Sequence, residues 1–307
     1  MNDLISMSLI YILNNIGGSM IKDFDLSDWI CFSERRNSKS YYSKDKKWMV
    51  KLGTDLTMKN EDELLVEKEI TDKALRIGIK TPKVGDVIML SDEKTTGLIY
   101  EYIENKKSIS RAASEDIENY DYYIQRFARS AKDFHSKICD PKEFDSQLER
   151  IKKQINLRGF FSGNRREKVL NFLDSINDTY NCIHGDFQTS NFIMTDKDEF
   201  AIDLGAIAYG NPIFDVGCLY YFWNVLPQPI TEPIFHCEHK WLRPMWESFC
   251  KYYYGMETKE EIEEFDKKML KESPIYFCGM FEFIDPGKEM PVLVKLADDL
   301  FDKYFGE

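Results

Sequence analysis

Apolar residues fall along this chain in two regimes. Up to about residue 103 they come in short runs rich in aromatic and β-branched side chains, separated by polar turns. Residues 28–33, 39–43 and 47–52 read in this way as antiparallel strands. Residues 60–77 carry apolar positions at helical spacing and predict one helix, which Thr81-Pro82 must end, because proline forces its predecessor into extended geometry. Residues 83–90 and 97–103 then predict a hairpin across the polar segment 91–96. After residue 105 the period changes to 3.6. Over 115–137 the apolar positions Tyr120, Ile124, Phe127, Ala131, Phe134 and Ile138 predict a long amphipathic helix with His135 on its buried face. Residues 157–168 read as an exposed basic loop. Helices resume at 215–224 and run to the end, with Thr258 and Glu261 as a capping box and Pro291 in the first turn of a last helix. The expectation is an α+β chain: a five-stranded antiparallel small lobe with one helix over residues 25–103, and a mainly helical large lobe over 104–307.

Residues 1–24 read as an extension. The apolar run 4–13 lacks a basic flank and is too short to span a bilayer. Two glycines just before Met20 suggest that translation naturally begins at that methionine.

Size and charge narrow the class. A chain of 307 residues with 43% hydrophobic and 14% aromatic content can bury a substantial core. Its net charge of −12 disfavours nucleic acid or an anionic membrane as partner and is compatible with a cationic small molecule. The seven cysteines are scattered, odd in number and without a CxxC pair. They read as free thiols of a reducing cytoplasm. His236-Cys237-Glu238-His239 reads as a turn rather than a metal cluster.

The chemistry concentrates in HGDFQTSN, from His184 to Asn191, and IDLG, from Ile202 to Gly205. Short apolar stretches on either side read as strands, which brings Asp186, Asn191 and Asp203 to one edge. Phosphoryl transfer from ATP asks for such a set: a carboxylate to take the acceptor hydroxyl's proton, and an amide and a second carboxylate to hold Mg²⁺ through oxygen. His184 reads as a structural residue of the loop, and Asp215 in NPIFD as a helix N-cap. Lys51 stands on an otherwise apolar strand between Val50 and Leu52. On the helix, Glu67 shares a stripe with Leu64, Ile70 and Ala74, so its carboxylate points inward and needs a partner; Lys51 is the expected one.

The loop H-G-D-x-x-x-x-N with the following D-x-G resembles the catalytic segment of the aminoglycoside phosphotransferase and choline kinase family, the small-molecule branch of the protein-kinase fold. Gly185 stands where protein kinases usually carry Arg. The resemblance implies a bilobal kinase-like fold that takes ATP and Mg²⁺. It assigns Asp186 as catalytic base, Asn191 and Asp203 as metal ligands, and Lys51 with Glu67 at the phosphates. It also implies that Glu101, Tyr102 and Ile103 form the adenine-contacting linker and that Asp215 braces the catalytic loop. The segment 33–40 departs from the protein-kinase pattern in lacking a glycine-rich phosphate loop. The implied reaction is transfer of the γ-phosphate to a hydroxyl of a small molecule, such as an aminoglycoside, choline or another amino alcohol. A protein kinase is the rival within enzymes; the missing H-R-D and A-P-E motifs oppose it. A regulatory nucleotide-binding module without catalysis is the rival outside them. The aromatic-rich segment 219–254 reads mostly as core, with Glu232, Glu238 and Glu247 as further places for an acceptor's amino groups.

Overall fold

The computed structural model describes residues 20–35, 38–53, 61–91, 95–158, 161, 163–282, 295, 299 and 303. The expected last helix from Pro291 lies outside the described residues, as do residues 36 and 37 of the segment 33–40 and the early apolar run. The chain divides into two compact units, residues 1–106 with 200–205, and residues 107–199 with 206–307.

The first unit is built on a six-stranded sheet rather than the five strands expected. Its strands are β1 (Met20–Phe24), β2 (Trp29–Arg35), β3 (Ser38–Ser43), β4 (Trp48–Gly53), β5 (Val84–Leu90) and β6 (Thr96–Glu101), in the order β1-β5-β6-β4-β3-β2. The additional strand, β1, falls in the stretch read as an extension and pairs parallel with β5. It is short, and its apolar residues Met20, Ile21 and Phe24 do not alternate, so the hydrophobic pattern does not reveal it.

Alternation along β4 decides what each face does. Val50 and Leu52 are buried on one face, packed with Ile88, Phe24, Trp29 and Ile99. Met49 and Lys51 therefore point to the other face. Helix α1 (Glu61–Arg76) covers that second face through Leu64 and Leu65, which pack on Val87, Leu98, Val84 and Tyr100. Register sets Met49 opposite Tyr100 and Lys51 opposite Leu98. The sheet face under α1 thus collects both the lysine and Tyr100.

The second unit begins with β7 (Lys107–Ser108) and α2 (Ile109–Glu115) and continues in the long α3 (Tyr120–Ser136). A short 3-10 turn at Ile117–Asn119 separates the two helices, so the single helix expected from 115 starts later and follows another. Ile138, read as part of its apolar face, lies beyond the helix and is 61% exposed. The basic stretch 157–168 is not one loop: α4 (Gln147–Arg158) ends in it and α5 (Asn164–Asp174) begins in it. Strands β8 (Cys182–Ile183) and β9 (Phe192–Met194) flank the HGD loop, and β10 (Glu199–Ala201) follows. β11 (Ala208–Tyr209) pairs antiparallel with β8, and β7 with β9. The helical remainder comprises α6 (Ile213–Tyr220), α7 (Gln228–Phe235), α8 (Leu242–Tyr254) and α9 (Lys259–Phe277). Thr258 and Glu261 close the expected capping box at the start of α9.

Its core is aromatic. Phe127 of α3 stacks on Phe187 at 5.0 Å and meets Phe192 edge-on at 5.1 Å, with Phe249 of α8 at 5.6 Å. Phe187 sits inside the HGD loop itself, between Asp186 and Gln188, so the loop is anchored by burial of its own side chain. All seven cysteines are free thiols, five of them buried. Among the described residues no helix is long and apolar enough to cross a membrane.

Candidate functional site

In the first unit, Met49, Lys51, Glu67, Tyr100, Glu101, Lys106 and Asp203 line one open cleft, with Thr71, Thr81, Pro82, Ile202 and Leu204 completing the wall. Four of the site residues singled out from the sequence, Lys51, Glu67, Glu101 and Asp203, therefore share a single surface. Residues 200–205 reach it because they group with this unit, where the Ala201 amide donates to the Lys80 carbonyl at 2.9 Å.

Glu67 does point inward, as its helical stripe requires, but its partner differs from the one expected. Its carboxylate accepts a hydrogen bond from the Tyr100 hydroxyl, and a Lys51–Glu67 ion pair is not among the contacts of the described residues. Cross-strand register permits this: Tyr100 stands on the strand beside β4, on the face that α1 covers. Burial, then the Glu67 charge and hydrogen bond, then the Asp203 charge hold the Tyr100 hydroxyl well above its ordinary range, so it stays a donor.

Asp203 adopts a left-handed backbone, φ 61°, which aspartate tolerates better than most residues. Among the described residues its carboxylate makes no hydrogen bond, so its oxygens are available. In the linker, the Glu101 amide donates to the Lys83 carbonyl at 2.7 Å and the Tyr102 amide to the Lys47 carbonyl at 2.9 Å. The Glu101 carboxylate accepts from the Lys83 amide at 3.1 Å. The Ile103 amide has no such partner among the described residues and is the one N–H of the three left for a ligand. Tyr102 stacks on Tyr42 with ring centres 5.1 Å apart.

The second unit carries the HGD loop. Asn191 donates from Nδ2 to Oδ2 of Asp186 at 2.8 Å and to its carbonyl at 2.9 Å. Gln188 donates from Nε2 to Oδ1 at 2.9 Å. Each carboxylate oxygen of Asp186 thus accepts from a side-chain amide, which fixes its orientation. Asn191, its nitrogen spent on Asp186, keeps its amide oxygen for another contact. His184 is fully buried and accepts the Asp186 amide on Nδ1 at 3.3 Å, the structural part read for it.

The loop is held from beneath by Asp215. This residue is not the N-cap of α6; Pro212 occupies that position, and Asp215 lies inside the first turn. Its Oδ2 accepts the His184 amide at 2.7 Å and its Oδ1 the Gly185 amide at 3.0 Å. Nε2 of His135 lies 3.0 Å from Oδ2, and Nδ1 lies 2.7 Å from the Tyr253 hydroxyl. A carboxylate only accepts, so Nε2 of the imidazole donates to Asp215. Burial, with the Asp215 charge added, pushes that hydroxyl above its ordinary range and keeps it a donor. His135 is thus the satisfied core histidine expected of α3.

Gly185 is required by space and by backbone. Its φ is 81°, and a Cβ there would stand 2.3 Å from the Ala206 carbonyl oxygen. Gly185→Ala is expected to cost at least about 2 kcal/mol of stability through strain and that clash, read as a shift of the urea midpoint. A midpoint equal to that of the parent would show that the loop moves aside freely.

Sequence reasoning missed Tyr100, Gln188 and Lys106. The alternation around Lys51 and the pairing of β4 with β6 could have found Tyr100. Nothing local marks Gln188 or Lys106. The aromatics at 220–223 and Trp246 are core, at most 6% exposed. The carboxylates named with them are engaged: Glu232 by the His239 amide at 3.2 Å, Glu238 by Lys240 at 3.0 Å and Glu247 by Arg243 at 2.9 Å. His236 is the left-handed C-cap of α7, and the segment after it is a turn, as read.

Comparisons agree with this architecture. The model of the phosphotransferase enzyme family matches residues 90–234. The structure is similar to an ethanolamine kinase of Plasmodium vivax, 15% identical over 91% of this chain and 82% of that one, with a TM-score of 0.57. It is also similar to a thermostable mutant of aminoglycoside phosphotransferase APH(4)-Ia, 11% identical over 92% and 96%, TM-score 0.55. A third is APH(2'')-IIa, solved in a ternary complex with streptomycin and ATP, 15% identical over 96% and 95%, TM-score 0.52. No curated protein matches the chain. The resemblance to the aminoglycoside phosphotransferase and choline kinase family is borne out, and the fold is the α+β, protein-kinase-like one that it implies.

Proposed function

We propose that this chain is an ATP- and Mg²⁺-dependent phosphotransferase that moves the γ-phosphate to a hydroxyl of a small molecule. The observation that carries the reading is the Asp186 carboxylate, oriented on both oxygens by Gln188 and Asn191 on a loop pinned by Asp215. Asp186 is the base: it orients the acceptor hydroxyl and takes its proton late in a loose transition state. Lys51 contacts the phosphates from the first unit, with Glu67 lining the same wall. The free amide of Ile103, beside Glu101 and Tyr102, supplies a donor to the adenine.

The donor chemistry suits magnesium. The Asn191 amide oxygen and the Asp203 carboxylate are hard oxygen ligands not consumed by hydrogen bonds among the described residues. Bound Mg²⁺ would neutralise phosphate charge and orient the leaving group. The acceptor is an amino alcohol or aminosugar, in line with the acidic net charge of −12. Supporting this class, the similar folds are an ethanolamine kinase and aminoglycoside phosphotransferases.

The test is ADP release from Mg²⁺-ATP against a panel of choline, ethanolamine, thiamine, homoserine, sugars and aminoglycosides. One acceptor that drives release, and fails to do so with Asp186→Asn, is the expected result. ATP binding without release for any alcohol would favour a regulatory nucleotide-binding module instead.

A further inference from the structure

Glu67 points into the cleft, yet the side chain that engages its carboxylate is Tyr100 and not Lys51. The charged groups on the cleft wall are Lys51, Lys106, Glu67, Glu101 and Asp203. Glu67 accepts from the Tyr100 hydroxyl, Glu101 accepts from the Lys83 amide at 3.1 Å, and Lys106 donates to the Met49 thioether at 3.3 Å. Lys51 and Asp203 are left without a hydrogen bond or ion pair among the described residues. They are the pair that the nucleotide reading needs unspent, the lysine for the phosphates and the carboxylate for the metal on them.

The pairing of β4 with β6 sets up a competition for Glu67. Register places Lys51 opposite Leu98 and Met49 opposite Tyr100. Lys51 and Tyr100 are therefore diagonal neighbours on the face that α1 covers, a separation within reach of long and aromatic side chains. Both are candidates for a carboxylate that α1 directs at that face. A glutamate paired with Lys51 would cancel the lysine's charge, and an incoming phosphate would have to break one ion pair to make another. A glutamate that takes a phenol is satisfied without consuming a cation. The phenol is kept in its donor form by burial, then by the Glu67 charge and hydrogen bond, then by the Asp203 charge.

We propose that Tyr100 is a positioning residue for the phosphate lysine: by holding the Glu67 carboxylate, it leaves the Lys51 ammonium uncompensated and available to the phosphates of the nucleotide. This inference rests on the nucleotide reading given above and adds a division of labour to it. Tyr100 keeps Glu67, Lys51 meets phosphate oxygens, and Asp203 is left to the metal.

Binding of ADP and adenosine to the full chain, measured by titration calorimetry with Mg²⁺ present, tests it. Tyr100→Phe keeps the ring and removes only the hydroxyl. Glu67 is then released to Lys51, and ADP affinity should fall about three- to tenfold, the scale of a partly exposed ion pair or a charged hydrogen bond. Adenosine, which carries no phosphate, should bind as before. Two second changes separate this from a merely structural role. Adding Glu67→Gln removes the competing charge and should recover most of the lost ADP affinity. In a Lys51→Met background, Tyr100→Phe should have no further effect on ADP. Melting transitions establish that the variants are folded. Should Tyr100→Phe fail to fold, Glu67→Gln alone decides: glutamine still accepts from Tyr100 and a negative charge has left the cleft, so ADP should bind about two- to fivefold more tightly. Unchanged ADP affinity in Tyr100→Phe, a loss that adenosine shares, a double variant weaker than Tyr100→Phe, or a Glu67→Gln variant weaker than the parent would overturn the assignment while leaving the nucleotide site in place. Wild-type protein that binds neither ligand would overturn the nucleotide reading itself, and this proposal with it.

Discussion

Replacing Asp186 with asparagine is expected to lower turnover by about 10²–10⁴-fold, the usual range for removing a general base, with ATP affinity kept. The structure explains why so small a change should act so strongly. Both carboxylate oxygens receive an amide N–H, from Gln188 at 2.9 Å and from Asn191 at 2.8 Å. An asparagine has one oxygen and one NH₂ group. Whichever way it turns, its own NH₂ faces a donor, so one of the two hydrogen bonds is lost and becomes a repulsive contact. On the proposed reading, the substitution removes the base and disturbs the orientation of the side chain at once. Asn191 is disturbed with it, which would loosen the amide oxygen offered to Mg²⁺. ATP affinity should survive, because Lys51, Glu67, Asp203 and the Ile103 amide belong to the cavity wall and linker of the other unit. Steady-state turnover with the best acceptor of the panel, alongside a direct ATP titration, gives both quantities. Turnover close to that of the parent would remove Asp186 from the role of base.

Much of this arrangement is legible in the amino-acid sequence alone. The HGD loop announces itself because Asp186, Asn191 and Asp203, a set that phosphoryl transfer would call for, sit within 18 positions of one another. The inward direction of Glu67 follows from its stripe on α1, and the face of β4 on which Lys51 stands follows from the alternation of that strand. Contacts made by pairing over distance are not legible in the same way. Tyr100 reaches Glu67 only because β6 lies beside β4 in one particular register; a slip of one residue would turn its hydroxyl to the opposite face. β1 escapes notice because its three apolar residues break the alternation of a regular strand, with a register shift between Ile21 and Phe24. The acceptor-facing surface stays unread for a related reason. An aromatic that fills a core and one that cradles a ligand look the same in sequence, and Tyr221, Trp223 and Trp246 fill the core. The resemblance supplies Asp215 as a brace, but its mechanism, two backbone amides on one side chain about 30 positions away, is purely tertiary.

That brace gives the second large effect. Asp215→Ala is expected to cost about 3–5 kcal/mol of stability, the usual consequence of removing one partner from a buried charged network. Three buried donors lose their acceptor together: the His184 amide, the Gly185 amide and Nε2 of His135. Each orphaned donor costs about 1–3 kcal/mol, and a typical domain has only about 5–15 kcal/mol to lose. Water cannot readily substitute, because Asp215 is 1% exposed and His184 is fully buried. Asp215→Asn separates shape from charge. It fills the same volume, yet its NH₂ must face either a loop amide or the imidazole, so a smaller loss in the same direction is expected. Urea unfolding midpoints of the two variants test the order. Turnover should fall in both at temperatures where they remain folded, because the loop that carries Asp186 begins at the two amides that Asp215 holds. A midpoint for Asp215→Ala equal to that of the parent would mean that the loop amides find other acceptors, and the pinning of the HGD loop would then have to come from the burial of Phe187 alone.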